Sequence, residues 1–309
     1  MTSQRCLDGR VIVVTGGGRG IGRDVALLAA AQGGKVVVND LGGAPDGTGA
    51  DASPADEVVA EIRAGGGEAV SSADSVADAK GAGRIIETAL DSFGRLDAVV
   101  NNAGIVRDRV FDEMDLADFE TVLEVNLFGS FYVSHAAAAH FRRQEHGTYV
   151  HVTSSSGLIG NYRQANYASA KMGMVGLSKS IALDMARYNV RSNCIVPFAW
   201  SRMMAPIPAD TEGAADRAWW LEKLKTLSPG TVAPLIVFLA SDLSEGITGQ
   251  ILGVRRNEVF LFSQPRPIRT IHRGEGWTPQ TLAEHMKPAF APSLYALDRS
   301  ADVFGWDPI

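Results

Sequence analysis

The chain has 309 residues, 46% of them hydrophobic and 21% charged, with a formal net charge of −6 and a pI near 5.6. That length suits one α/β domain with an elaborated tail, and the composition excludes a disordered or fibrous chain and calls for no disulfide or metal staple. The acidic balance leaves no nucleic-acid footprint, no run approaches the roughly 20 apolar residues of a membrane span, and the two distant cysteines, Cys6 and Cys194, match no metal-ligand spacing, so a cytoplasmic protein without those partners is expected.

Val- and Ile-rich runs at Val11 to Thr15, Lys35 to Asn39, Glu68 to Ser71, Leu96 to Asn101, Thr148 to Thr153 and Val190 to Val196 predict strands. Their near-continuous apolarity fits parallel strands buried on both faces. Helices are predicted between them at Ile21 to Ala31, Ala52 to Ala64, Ala79 to Phe93, Asp115 to Arg143 and Tyr167 to Tyr188. The alternation gives right-handed βαβ units, hence an α/β fold with a Rossmann-like doubly wound parallel sheet, closed by a last strand at Gln250 to Val254. Residues 1–254 then form the domain. Within it, about 199–229 is rich in Met, Pro and Trp, and Trp219 and Trp220 can serve as a substrate lid or as packing. Residues 255–309 read as an extension packed on the same body.

The first strand runs into Thr15-Gly16-Gly17-Gly18-Arg19-Gly20-Ile21-Gly22. Glycines at a strand-to-helix junction let backbone approach a pyrophosphate, and the helix N-terminus offers free N–H groups and a positive dipole end. Gly16, Gly20 and Gly22 hold the key positions, with Arg19 and Ile21 between them. Asp40 ends the second strand, roughly 20 positions on, where a carboxylate accepts ribose hydroxyls and repels a 2′-phosphate. It favours NAD over NADP. Arg19 is the counter-signal, since it could meet that phosphate.

Further along, Tyr167 and Lys171 stand four residues apart on one helix face, and Ser154 follows the fifth strand. In an open parallel sheet the carboxyl ends of the strands line the ligand crevice. With Asn101-Asn102-Ala103-Gly104 after the fourth strand, these motifs resemble the short-chain dehydrogenase/reductase family from about Arg10 to Val254. The resemblance implies that Tyr167 is the acid/base, that Lys171 lowers its pKa and bonds the nicotinamide ribose, and that Ser154 polarises the substrate oxygen. It makes Asn126 the holder of a relay water and places Asp74, Ser75, Asn102, Ala103, Gly104 and Pro197 about the cofactor. Plainer roles stand beside these: turn formation for Ser154 and Asn102, backbone pairing for Asn126, a helix cap for Asp74. Phe198 follows Pro197 where many members carry glycine, a bulk that could narrow the nicotinamide end.

Several stretches resemble one branch of that family, the dehydrogenase domain of peroxisomal multifunctional enzyme type 2. They are Val36 to Gly43, Asn101 to Arg109, Gly160 to Tyr167, Ser201-Arg202-Met203, Val232 to Leu235 and Thr278-Pro279. That branch implies NAD-dependent conversion of a (3R)-3-hydroxyacyl-CoA to a 3-ketoacyl-CoA in fatty-acid or sterol side-chain degradation, by a homodimer or homotetramer. The alternatives are a 17β-hydroxysteroid or other bulky secondary alcohol as substrate, and a non-catalytic NAD-binding sensor. Arg266, Arg269, His272 and Arg273 can meet CoA phosphates or form a solvated face.

Overall fold

Eight strands make one sheet in the order β3-β2-β1-β4-β5-β6-β7-β8. They are β1 (Val11–Thr15), β2 (Lys35–Asn39), β3 (Glu68–Ser72), β4 (Ala98–Asn101), β5 (Gly147–Val152), β6 (Val190–Pro197), β7 (Ile251–Arg255) and β8 (Glu258–Leu261). The computed structural model describes residues 5–200 and 227–306. Every neighbouring pair is parallel except β7 with β8. The chain winds outward from β1 through β2 and β3, then returns to β4 on the other side of β1. The loops after β1 and β4 therefore meet at the topological switch point, where an open α/β sheet forms its crevice.

The helices are α1 (Gly20–Ala31), α2 (Ser53–Ala64), α3 (Ala79–Phe93), α4 (Leu116–Leu123), α5 (Gly129–Gln144), α6 (Ser155–Leu158), α7 (Ala165–Asp184), α8 (Ala233–Ala240), α9 (Pro279–Phe290) and α10 (Ser300–Val303). Side chains alternate across the pleat, so each strand feeds two cores. Ile12 and Val14 pack with Val25, Val58 and Ile236 on one face, while Val11 and Val13 pack with Ile85, Val133 and Phe141 on the other. Burial on both faces explains why the strands read as unbroken apolar runs.

Helices α6 and α8 lie outside the elements expected from the sequence, and two further departures bear on the site and the tail. The single helix expected over Asp115 to Arg143 is interrupted by a π turn at Glu124–Phe128. Asn126 sits inside that turn, and its Nδ2 donates to the carbonyls of Val122 (2.9 Å) and Ile105 (3.0 Å). A side-chain amide competing for a helical carbonyl favours such a widened turn, and hydrophobic periodicity does not register it.

The tail is the second departure, since it contributes β8 and α9 to a region read mostly as irregular. A two-residue turn at Arg256-Asn257, with Arg256 at φ 53°, pairs Arg255 with Glu258. It lacks the Asn-Gly signature that announces such a hairpin. Gly253 makes it possible, because a Cβ there would lie 2.8 Å from the Phe262 ring and 3.1 Å from that of Phe260. The lid segment, Ser201-Arg202-Met203 and Trp219-Trp220 fall within 201–226, outside the described residues. No helix among the described residues is long and apolar enough to cross a membrane.

Candidate active site

The glycine loop leaves β1 with Gly16 at φ +62° and enters α1 with Gly20 at φ +53°, conformations that favour glycine. The loop also folds closely on itself, since a Cβ on Gly22 would meet the Gly16 carbonyl oxygen at 2.0 Å. Helix α1 has no side-chain cap at Arg19 and no acidic residue in its first turn. Its leading amides are thus available to an anion, and Ile21 lies among them. Asn102 buttresses the loop: its Nδ2 donates to the Thr15 and Gly16 carbonyls, both at 3.0 Å. The Asn102 and Ala103 amides both donate to Thr15 Oγ1 at 3.1 Å. Asn102 therefore holds the loop rather than reaching past it.

Asp40 follows β2 and turns both carboxylate oxygens back on the backbone, Oδ2 accepting from the Gly18 amide at 2.8 Å and Oδ1 from the Gly42 amide at 2.7 Å. Each oxygen keeps lone-pair capacity for a ribose hydroxyl. Arg19 is bound close by, with Nη1 3.5 Å from the Gly42 carbonyl and 3.4 Å from that of Gly43. Asp74 lies just beyond β3 and pairs with Arg84 at 2.6 Å, whereas α3 is capped by Asp78, which accepts from the Gly81 amide. Ser75 turns its hydroxyl to the Ala77 amide at 3.2 Å. A nicotinamide dinucleotide fits this cradle: glycine backbone, uncapped helix amides and a carboxylate stand in sequence along the carboxyl edge.

The second half of the crevice is built from β5 and α7. Ser154 leaves β5 as the N-cap of α6, its Oγ accepting from the Ser156 amide at 3.1 Å. Capping α6 leaves the same hydroxyl near the Tyr167 phenol, whose pKa it lowers. Lys171, one helical turn past Tyr167, is buried, with Nζ donating to the Val152 carbonyl at 2.8 Å and lying 5.4 Å from the centre of the Tyr167 ring. Across the site, a Cβ on Gly104 would lie 2.5 Å from Asn126 Oδ1 and 3.5 Å from Lys171 Nζ. Only a glycine leaves room there for Asn126 Oδ1.

Burial pushes the Tyr167 phenol up to about 12, opposed by the Ser154 hydrogen bond and reinforced by the charge of Asp108. Burial also pulls the Lys171 ammonium down to about 8. From nearly equal ordinary values the two move apart, as desolvation dictates for an acid and a base. The fall in the phenol's pKa that base catalysis needs must come from positive charge brought near it.

Asp108 and Gln164 are the residues that motif reading missed. Gln164 Nε2 donates to both Asp108 oxygens, at 3.2 and 3.1 Å, in a stretch bridged by Arg109 and Gln164. Asn166 Nδ2 donates to the Arg107 carbonyl at 2.9 Å. This zipper fixes the start of α7 and hence Tyr167. Burial raises the pKa of the Asp108 carboxyl, against the Gln164 hydrogen bonds. The signal lay in Arg107-Asp108-Arg109 and Gln164-Ala165-Asn166, which carried the branch resemblance but no assigned chemistry.

Pro197 closes β6 opposite Val254, but the Phe198 ring turns away to the tail, 4.5 Å from Phe304 and 6.2 Å from Phe260. Its bulk anchors the extension. In the arginine cluster, Arg269 bonds the Ser293 hydroxyl at 2.9 Å and Arg273 pairs with Glu275 at 3.2 Å, both near solvent.

A family model described as short chain dehydrogenase matches residues 10–210. The chain is 46% identical over 238 residues to peroxisomal multifunctional enzyme type 2 of Drosophila melanogaster, covering 77% of this chain and 38% of that much longer protein. It is 36% identical over 299 residues to a hydroxyacyl-CoA dehydrogenase, ChsB1, of Mycobacterium tuberculosis, covering 94% of this chain and 91% of that one. Among solved structures, a short chain dehydrogenase from Mycobacterium avium superposes with a TM-score of 0.82 at 35% identity, covering 95% of this chain and 99% of that one.

Proposed function

Because the chain belongs to the short-chain dehydrogenase family, we propose that it interconverts a (3R)-3-hydroxyacyl-CoA and a 3-ketoacyl-CoA with NAD, in fatty-acid or sterol side-chain degradation. The observation that carries the chemistry is the meeting of Ser154, Tyr167 and Lys171 beside the glycine loop at the carboxyl edge of the sheet. The substrate class is supported by likeness, nearly end to end, to a protein named for hydroxyacyl-CoA.

The bound nicotinamide supplies hydride acceptance or donation and, when oxidised, a positive charge. This chain does the rest. Ser154 donates to the substrate oxygen and fixes it against the Tyr167 phenol. Tyr167 takes the hydroxyl proton during oxidation and returns it during reduction. Lys171 holds positive charge beside the phenol, favouring the phenolate, and reaches towards the ribose that lies over the site. Asn126 offers Oδ1 to a relay water. The uncapped amides at the start of α1, from Gly20 to Gly22, hold the pyrophosphate, and Asp74 and Ser75 bound the adenine end.

Asp40 supports NAD: a 2′-phosphate would stand against its carboxylate, and Arg19 is already engaged by two carbonyls. A cytoplasmic homodimer or homotetramer completes the reading. Exposed Phe128, Phe131 and Leu183 on the helical face support it.

The test is the initial rate of NAD reduction with a (3R)-hydroxyacyl-CoA against 17β-estradiol at equal concentration. Fast thioester turnover with little steroid turnover is expected, and the reverse would make the protein a hydroxysteroid dehydrogenase. Tyr167→Phe should cut kcat by at least about 100-fold while NAD affinity stays within about twofold. Unchanged biological output from that variant would instead favour the NAD-binding sensor.

A further inference from the structure

The reading above leaves one fully buried ionisable side chain beside the catalytic group without a role. His151 lies on β5, three residues before Ser154, and is inaccessible to solvent. Across the sheet it faces Asn101 on β4 and Cys194 on β6. Its ring stacks along β5 on that of Tyr149, 6.1 Å away. Its Nδ1 lies 3.2 Å from Asn101 Nδ2, which also donates to Ser134 Oγ on α5 at 2.9 Å. With the Asn101 amide nitrogen turned to the ring, Nδ1 holds the lone pair and the proton resides on Nε2.

That Nε2–H is buried and has no partner among the described residues, and the same is true of Asn126 Oδ1. One is a donor and the other an acceptor. Both neighbour Lys171. Its Nζ bonds the carbonyl of Val152, next to His151 in the strand, and its charge acts on the imidazole. Its Nζ and Asn126 Oδ1 also converge on Gly104. Buried polar groups left over by the protein are ordinarily satisfied by ordered water.

We propose that His151 is a positioning residue for Lys171, its Nε2–H and Asn126 Oδ1 anchoring one buried water against the lysine Nζ. The water accepts from His151 and from Lys171 and donates to Asn126, three bonds of the usual number for an interior water. The groups facing the imidazole are Lys171 from α7, Tyr149 on β5 and Cys194 on β6. None is an acid that would hold it protonated at neutral pH. It therefore supplies a donor without a second positive charge, which would drive the ammonium towards deprotonation. The inference rests on the oxidoreductase reading only in that Lys171 then serves the phenol.

Two variants test it. His151→Leu removes the donor, and His151→Gln keeps an N–H near the place of Nε2. With (3R)-3-hydroxybutyryl-CoA and NAD, the leucine variant should lose about tenfold in kcat. Both KM values should hold within about twofold, and the rising limb of kcat should move to higher pH, as expected when the phenolate loses an ordered lysine. The glutamine variant should recover most of kcat and the original limb. A substrate-free readout accompanies it: the phenolate absorbance of Tyr167 with NAD bound, taken as the difference from Tyr167→Phe, should shift upward in pH for leucine and not for glutamine. Leucine and glutamine variants that melt like the wild type and share its pH limb and phenolate titration would overturn the proposal. A wild type that turns over no CoA thioester would count against the substrate reading alone, and the phenolate titration would then decide the role of His151.

Discussion

At the residue scale, a chemically demanding constellation is assembled from groups whose pKa values burial pushes the wrong way. Tyr167 is raised by desolvation and further by the negative charge of Asp108. Removing that charge stabilises the phenolate relative to the phenol, so Tyr167 then titrates at lower pH. Asp108→Asn, which retains a hydrogen-bonding oxygen for Gln164, should shift the rising limb of the oxidation kcat profile to lower pH. A limb that stays put would show that Asp108 acts only through the α7 zipper. His151 gives a second pH signature, in stability rather than rate. Its pKa is lowered by burial from 6.5 to about 3. Between those values the unfolded chain binds the extra proton, so stability rises with pH across the window and is lost as pH falls from about 6.5 towards 3. His151→Gln should flatten the melting-temperature curve over that range, and curves that run parallel would contradict it.

At the scale of elements, the tail is fastened at two places. Arg255 clamps the hairpin end: Nε bonds Glu258 at 2.8 Å, Nη1 bonds the Trp306 carbonyl at 3.0 Å, and the guanidinium lies 4.6 Å from the Trp306 ring. Phe304 fills the space between Phe198, Phe260 and Phe262, at 4.5, 5.6 and 6.1 Å between ring centres. The second fastening reaches the site, since the Ser300 amide donates to the Gly160 carbonyl at 3.0 Å, in the loop between Ser154 and Tyr167. Phe304→Ala should therefore cost about 2 kcal/mol, less than a fully buried ring because Phe304 is only half-buried. It should also speed proteolysis within 279–306 and raise KM more than it lowers kcat. Unchanged proteolysis would show that the Arg255 clamp holds the tail alone.

At the scale of the whole molecule, the helical face opposite the sheet core is apolar where water would meet it. Phe128 and Phe131 are 43% and 45% exposed and Leu183 is 80% exposed. A groove of about 380 Å³ lined by Leu127, Phe128, Phe131, Tyr132 and Leu177 runs along the same helices. Such a surface marks an association site more often than a free face. Light scattering should give a mass of at least two chains, and Phe131→Glu with Leu183→Glu should reduce it at least by half. A monomeric wild type would remove the basis for this prediction.

Much of this protein was legible from order along the chain, because its parallel strands and glycine loop follow local rules. Unbroken apolar runs located the inner strands to within a residue or two; the loop at Gly16 to Gly22, Asp40 and Ser154 stood at strand ends where a crevice must form, and Tyr167 and Lys171 shared one helix face. Contacts far apart in sequence decided the rest. The widened turn at Asn126 depends on the Ile105 carbonyl, 21 residues away, and β8 depends on the bare Cα of Gly253. The orientation of Phe198 depends on Phe304, and the burial of His151 beside Lys171 depends on two strands and a helix meeting. Periodicity reports which face of an element is apolar. It carries no information about which distant group will occupy the space above that face, and here that occupancy sets both the pKa values of the site and the path of the tail.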